Sequence, residues 1–524
     1  MSRDSASYLM EHGYSAEQIS RLCDRCNATI DELAAAVERN LIDEEPSDRV
    51  SEETFVKPED FSDSGNADAF SKTFSGRILW TRSGGFYVWT GKRWEANDQK
   101  ALGLAMAFTQ AMLDDATREC QERQIFDART GKTSIPEETW HYFQHAKKSR
   151  SAAATQHLLD LAKSRLVVDA ASLDPNWWDL NSEAGIVDLR TGEIRKHDPL
   201  AYCTRMAPFA PGEGSKELWR DFLDTITDND QSLKRHLQIV LGSMIIGRIF
   251  WEQLFIMLGE GRNGKSTFVN TCAKVIGDYA TGLDAQVLTT DRQNRGAALA
   301  TLRGRRMVVC GELEEGQRLS VQTLKRIAST DPLTIEEKYR MPETIIPTHH
   351  VLLFSNFLPR VGSTDAGTWR RISVIPFAAT MPTGRDERLD YADILLKESG
   401  GVILSWLMDG ARMFIEAGFR IEQPEVVRCA TDAYRNQEDW LRAFLDERCS
   451  LRDDKRVRCG ELYQSYQAYS KMTGDYCRRS TEFAQAMIRA GFSKTAIRGR
   501  WYWKGVGIDY AAGYSSGAEA AEWV

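Results

Sequence analysis

Apolar positions along the chain alternate between helical and strand periods, and the changes of period mark out its elements. Ser15-x-x-Gln18 and Thr29-x-x-Glu32 are capping-box starts followed by apolar residues at helical spacing, which predicts two or three short helices over residues 1–40. Short aromatic-rich runs at Gly76–Trp80, Gly85–Trp89 and Arg93–Trp94 predict strands, and helical spacing follows to about residue 165. Residues 177–198 predict a strand, a Thr191-Gly192 turn and a second strand. Leu218, Trp219, Phe222 and Ile226 mark an amphipathic helix, and Leu233 to Ile246 another. Four apolar runs, Gln253–Leu258, Arg306–Cys310, Thr348–Ser355 and Ile372–Phe377, predict buried strands. Beyond them, helices are expected at Gly400–Glu416 and Trp440–Leu445, around Leu462, Tyr466 and Tyr469, and around Phe483, Met487 and Ile488. Thr495–Ile508 reads as a strand–turn–strand hairpin around Gly499.

Length and charge sharpen this picture. At ~150 residues per domain, 524 residues suggest three to four domains, and a composition of 42% hydrophobic and 27% charged residues excludes pervasive disorder. The opening MSRDSASYLMEHGYS has no apolar core of a secretion signal, and the ten cysteines are scattered, so a reducing, cytoplasmic or host replication setting is expected. Cys23 and Cys26 share a helical face with Ile19 and Leu22, and only His12 lies nearby, so they read as core residues rather than a metal site. The most apolar stretch, Ile239–Gly259, is broken by Arg248 and Glu252, and no membrane association is expected. The net charge of −8 is uneven: Asp43–Asp63 holds nine acidic and two basic residues, whereas Arg448–Lys504 holds thirteen basic and five acidic. That basic, Tyr- and Trp-rich end leans toward phosphate contact.

The run Gln253–Leu258 ends directly in Gly259-Glu-Gly261-Arg-Asn263-Gly264-Lys265-Ser266-Thr267, followed by a helical pattern with Phe268, Cys272, Val275 and Ile276 inward. Strand, G-x-x-x-x-G-K-[ST] and helix stand in the order of a phosphate-binding loop, whose glycines let successive N–H groups converge on one anion. Lys265 is expected to reach the β- and γ-phosphates and Ser266 to hold Mg²⁺. A second strand ending in Glu312, with Glu314 and Glu315 beside it, supplies the carboxylate such a site needs for metal and water. Asn356 closes a third strand, where it could orient water or meet the γ-phosphate. Arg370 and Arg371 precede the fourth, where either could complete a neighbouring subunit's site. His349 and His350 lie in a strand run, so at least one is expected to be packed; Cys272 and Cys310 read as core.

Taken together, GEGRNGKST, CGELEEG, LKRIASTDPLTIEEKY, LLFSNFLP and TWRRISVIPF resemble the ordered motifs of superfamily 3 helicases, most closely the phage, plasmid and poxvirus-type primase–helicase group, and NSEAGIVDLRTGEI at 181–194 is similar to part of that group's N-terminal helicase-associated domain. The resemblance covers roughly residues 75–510. It implies an α/β fold: an AAA+-like P-loop NTPase core that assembles as a ring, usually a hexamer, with ATP and Mg²⁺ between subunits and single-stranded DNA in the channel. By match to the motifs, Gly259, Gly261, Asn263, Gly264, Lys265, Ser266 and Thr267 belong to Walker A, Glu312 to Walker B and Asn356 to sensor 1, while Arg370 and Arg371 both fall at the arginine-finger position. Lys325 to Tyr339 resembles the segment leading into the DNA-binding hairpin, with Lys338 the best candidate phosphate contact and Lys325, Tyr339 and Arg340 in support. Ser329-Thr330-Asp331 departs from the glycine-rich turn many relatives carry before the hairpin.

The expected organisation is a helical interaction module over 1–40, an acidic linker over 41–68, a mixed α/β helicase-associated domain over 69–215, the ATPase core over 216–395, a mainly helical, winged-helix-like domain over 396–510 and a tail over 511–524. A lid or subunit-docking bundle is the competing reading of the C-terminal domain. With about 70 residues ahead of the matching region, no primase domain is expected in cis, and primers, if needed, are expected from a separately encoded primase or polymerase. The implied function is an ATP-dependent replicative helicase or translocase of a virus, phage or mobile element, acting on single-stranded or forked DNA. An origin-binding initiator that oligomerises without processive unwinding is the alternative. A small-molecule kinase would need neither the arginine pair nor the basic aromatic end.

Overall fold

The computed structural model describes residues 50, 54–127, 132–289, 296–335, 343–361, 365–379, 391–473 and 476–509. The helices expected over 1–40, the cysteine pair within them, the tail over 511–524 and the candidates Lys338, Tyr339 and Arg340 lie outside the described residues. Two compact units make up the chain: one runs to Val187 and takes back Glu193–Met206, and the other holds Asp188–Gly192 and the chain from Ala207 on.

In the first unit, helix α1 (Asp63–Thr73) starts where the Ser62 side chain accepts the Gly65 N–H. Strands β1 (Ile78–Thr81), β2 (Gly85–Trp89) and β3 (Trp94–Ala96) form an antiparallel meander with Ile78 opposite Val88 and Trp89 opposite Trp94. The long helix α2 (Asp98–Glu122) is capped by Asn97 and buries Leu104, Ala105, Phe108 and Met112 at helical spacing. The hairpin β4 (Ile125–Asp127) and β5 (Lys132–Ser134) leads to α3 (Glu137–Ser149) and α4 (Ala152–Ala162). Phe70, Phe74, Ile78, Phe86, Val88, Leu104, Phe108, Leu158 and Leu159 close one core. Within the acidic stretch over 41–68, Phe55 and Val56 pack on this core and Phe61 stacks on Tyr142 at 5.0 Å between ring centroids. Over 177–198 there are three strands rather than two, β6 (Asp179–Ser182), β7 (Gly185–Asp188) and β8 (Ile194–Arg195). The extra turn depends on Gly185, whose φ of 135° and 2.4 Å clearance to the Arg195 carbonyl exclude a side chain.

The second unit opens with α5 (Lys216–Ile226) and α6 (Gln231–Met244), followed by β9 (Leu254–Leu258), α7 (Lys265–Ile276), β10 (Ala280–Leu283), α8 (Gly296–Ala300), β11 (Met307–Cys310) and α9 (Val321–Ile327). The short strands β12 (Leu333–Ile335) and β13 (Glu343–Ile345) pair antiparallel, as the arms of the expected hairpin would. Next come β14 (His350–Ser355), α10 (Ala366–Trp369), β15 (Ile372–Pro376) and α11 (Tyr391–Glu416). Five strands form one parallel sheet in the order β10-β11-β14-β9-β15. The runs LFIML, MVVC, HVLLFS and ISVIP are almost wholly buried, which a parallel sheet covered on both faces requires. Both strand histidines are packed, with burial pushing each imidazole down to about 4, and Cys272 and Cys310 are fully buried.

Helices α6 and α11 cross backbone to backbone. A Cβ on Gly410 would lie 2.0 Å from the Gln238 carbonyl, and one on Gly242 would lie 2.3 Å from the Ala411 nitrogen. After α12 (Glu425–Gln437), the chain runs α13 (Trp440–Arg448), β16 (Cys449–Arg458), α14 (Cys459–Thr473), α15 (Ser480–Arg489), β17 (Lys494–Ile497) and β18 (Arg500–Ile508). Its three strands pair antiparallel in the order β16-β18-β17 over a core of Phe444, Tyr466, Phe483 and Trp503. The turn between β17 and β18 is at Arg498 and Gly499, both with positive φ. Among the described residues no helix is long and apolar enough to cross a membrane.

Candidate active site

The parallel register puts the C-terminal ends of β9, β14 and β11 side by side: Leu258 lies opposite Ser355, and Cys310 opposite Leu353. Open α/β sheets bind ligands outside this edge. The phosphate-loop sequence leaves β9 here and turns into α7 through Gly264, whose φ of 75° favours glycine. Asn263, 3% exposed, holds the loop closed by donating from Nδ2 to the Glu260 carbonyl at 2.6 Å and to the Phe377 carbonyl at 3.1 Å. Gly259 has no room for a side chain, since a Cβ there would stand 2.0 Å from Asn263 Nδ2. Gly261 faces open space.

Lys265 is buried at the head of α7, and its Nζ donates to the Gly259 carbonyl at 2.9 Å and to Asn356 Oδ1 at 2.5 Å. Asn356 Nδ2 in turn donates to Glu312 Oε1 at 3.3 Å. Three residues separated by long stretches of sequence thus form one hydrogen-bonded chain at the ends of three adjacent strands. Burial holds the Lys265 ammonium below the usual lysine range, and the Glu312 carboxylate opposes that shift. Ser266, Glu314 and Glu315 are exposed at the same edge, and Thr267 is half-buried in the first turn of α7.

Arg370 and Arg371 lie elsewhere. They precede β15, whose first residue Ile372 pairs with Leu254, so they lie at the N-terminal ends of the strands. Five strand residues, roughly 17 Å at the usual rise, separate them from their own phosphate loop. The two also differ from each other. The Arg371 side chain is 11% exposed, and it bonds Glu252 Oε2 at 2.5 Å and the Gly367 carbonyl at 2.8 Å. The Arg370 side chain is 65% exposed and reaches the same Glu252 oxygen at 3.1 Å. Lys325, expected to face DNA, bonds Asp365 at 2.6 Å. That bond, with those from Thr368 and the Gly367 N–H, holds the Asp365 carboxyl at about 2.

Sequence reasoning missed Glu252, the Phe377 carbonyl and Asp365. Glu252 carried a signal, as a charge interrupting an apolar run. Such a charge needs a partner, and the buried Arg371 supplies it, with the exposed Arg370 on the same oxygen.

Two family models match the chain: "D5 N terminal like" over residues 67–228, and a family of unknown function, DUF5906, over residues 257–371. A protein of Acanthamoeba polyphaga mimivirus, named as a proposed helicase, is 28% identical over 57% of this chain and 34% of its own length. A protein of Frog virus 3, also named as a proposed helicase, is 25% identical over 52% of this chain and 28% of its own. A protein of African swine fever virus, named as a proposed primase, is 26% identical over 46% of this chain and 27% of its own. The chain therefore spans about a third or less of these curated relatives. The apo structure of the NrS-1 C-terminal region is 14% identical and covers 57% of this chain and 77% of that one, at a TM-score of 0.38, too low to bear on the fold.

Proposed function

We propose that the chain, matched by two family models and similar to viral proteins named as proposed helicases, is an ATP-driven DNA helicase or translocase of the superfamily 3 primase–helicase family of phages and viruses, working as a ring of identical subunits in replication of a virus, phage or mobile element. The observation that carries the reading is the chain Lys265–Asn356–Glu312 at the edge where the phosphate loop opens. The loop offers N–H groups and a helix N-terminus to the phosphates. Lys265 exchanges its carbonyl and amide partners for phosphate oxygens. Asn356, bonded to both Lys265 and Glu312, orients the attacking water. The exposed Ser266 hydroxyl and Glu312 carboxylate suit a hard cation, and Mg²⁺ held there would neutralise phosphate charge.

Arg370 is the better arginine-finger candidate in this reading, since Arg371 is buried and already bonded to Glu252 and the Gly367 carbonyl. Its distance from its own loop supports action on a neighbouring subunit. The order α13-β16-α14-α15-β17-β18 with sheet order β16-β18-β17 supports a winged-helix reading, in which the Arg498–Gly499 turn and the exposed Trp501 form the wing. That feature also favours the second reading, an ATP-dependent origin-binding initiator.

The test is ATP hydrolysis by the purified chain with and without forked single-stranded DNA. DNA-stimulated hydrolysis with strand separation, both abolished by Lys265→Ala, is the expected result. Hydrolysis indifferent to DNA would refute the motor reading; tight duplex binding without unwinding during turnover would favour the initiator.

A further inference from the structure

We propose that Glu252 is a positioning residue for Arg370, presenting that arginine to the neighbouring subunit's nucleotide; the inference rests on the ATPase reading above and deepens it. Three consecutive residues at the entrance to β9 grip the two arginines. The Leu254 N–H donates to the Arg371 carbonyl at 2.7 Å, Gln253 Nε2 donates to the Arg370 carbonyl at 3.3 Å, and Glu252 Oε2 accepts from both guanidinium groups. The grip is asymmetric. Arg371 is buried and bonded a second time to the Gly367 carbonyl, so it anchors the segment. Arg370 shares the same carboxylate oxygen through an exposed, longer contact, and exposed pairs of this kind are weak. Glu252 therefore keeps Arg370 in a defined rotamer yet releases it readily to a phosphate, which binds guanidinium bidentately and more strongly.

The position of Glu252 adds a second link. β9 runs from this cradle straight into the phosphate loop, so one short buried strand joins the arginine a subunit would lend to the loop it uses itself. Ser329 Oγ lies 3.5 Å from Glu252 Oε1, which brings the residues just before β12 to the same carboxylate.

The experiment compares wild type, Glu252→Gln, Arg370→Ala and the double variant in DNA-stimulated ATP turnover, with Tm measured for each. Glu252→Gln is expected to lower kcat at least tenfold with KM for ATP within threefold. The double variant should be no slower than Arg370→Ala alone, because Glu252 acts through Arg370. Mixing Glu252→Gln with Lys265→Ala subunits should restore turnover, since one brings an intact loop and the other an intact arginine. Multiplying losses in the double variant, or no restoration on mixing, would overturn the proposal. Should Glu252→Gln fail to fold, Glu252→Asp keeps the charge for Arg371 on a shorter arm. It is expected to lower kcat at least threefold at unchanged Tm, and wild-type kcat in that variant would overturn the proposal. A wild-type protein without ATP turnover defeats the function itself. Turnover lost in Lys265→Ala but normal in Glu252→Gln defeats only the role of Glu252.

Discussion

Asn263 offers the most direct test of how the phosphate loop is held. Its side chain is almost fully buried and donates to two carbonyls, those of Glu260 and Phe377, while its Oδ1 lies 3.4 Å from the Lys265 N–H. Each good hydrogen bond contributes about 1 kcal/mol net, and the third is too long to count fully, so Asn263→Ala should cost the closed loop about 2 kcal/mol. If nucleotide binds only that closed form, its Kd should rise by up to roughly 30-fold, the full factor being reached where the variant's loop rests open. Asn263→Asp separates this account from a simple loss of volume. Aspartate is nearly isosteric, but it turns a carboxylate oxygen toward two carbonyl oxygens and adds negative charge where phosphates would sit. It should therefore be worse than alanine. Titration with a fluorescent ATP analogue gives the affinities, and amide hydrogen exchange over residues 259–264 reads loop opening without nucleotide. An aspartate variant equal to or better than the alanine variant, or an alanine variant within threefold of wild type in both assays, would refute the reasoning.

Other expectations follow from packing and charge. Gly410→Ala sets a methyl 2.0 Å from the Gln238 carbonyl and should destabilise the second unit by about 3 kcal/mol or more, visible as a lower melting temperature, whereas Gly103→Ala, with nothing within 4 Å, should not. Arg371→Ala should lower the melting temperature markedly, because it removes the buried guanidinium that Glu252 and the Gly367 carbonyl hold; the exposed Arg370→Ala should leave it nearly unchanged. Burial holds His236, His349 and His350 at about 4, below the ordinary 6.5, so the folded state prefers them neutral. Their contribution is complete above pH 6.5 and is lost as pH falls from there toward 4, at about 1.4 kcal/mol per pH unit for each histidine. Urea midpoints at pH 7.5 and 5.5 check this, and equal midpoints would contradict it.

Much of this was legible in the sequence because buried parallel strands leave unbroken apolar runs. LFIML, MVVC, HVLLFS and ISVIP announced themselves, and so did the glycine-rich turn after the first. The hairpin around Gly499 was legible for a similar local reason: a glycine, free to take the positive φ it has here, stands between two strand runs, whereas the positive φ of Arg498 left no mark in the sequence. β16 was not. Its residues CSLRDDKRVR are mostly exposed on a sheet edge, and without alternating burial there is no period to read. α12 escaped because only Val427 and Tyr434 of its thirteen residues are buried, too sparse a stripe for the pattern. The difference between Arg370 and Arg371 was also invisible in advance. It depends on Glu252, more than a hundred residues earlier, whose partnership is set by strand register rather than local spacing.

The close contact of Gly242 and Gly410 has a mechanical consequence. Two helices whose backbones pack this closely have no side-chain layer between them to yield, so α6 and α11 are expected to move together as one stiff beam. α11 also packs along α7, where Phe268 lies against Trp219 and Trp406. A displacement that begins at the head of α7 is therefore expected to meet this beam as a unit rather than to be absorbed between its two helices. The glycine pair sets the compliance of the second unit as much as its stability.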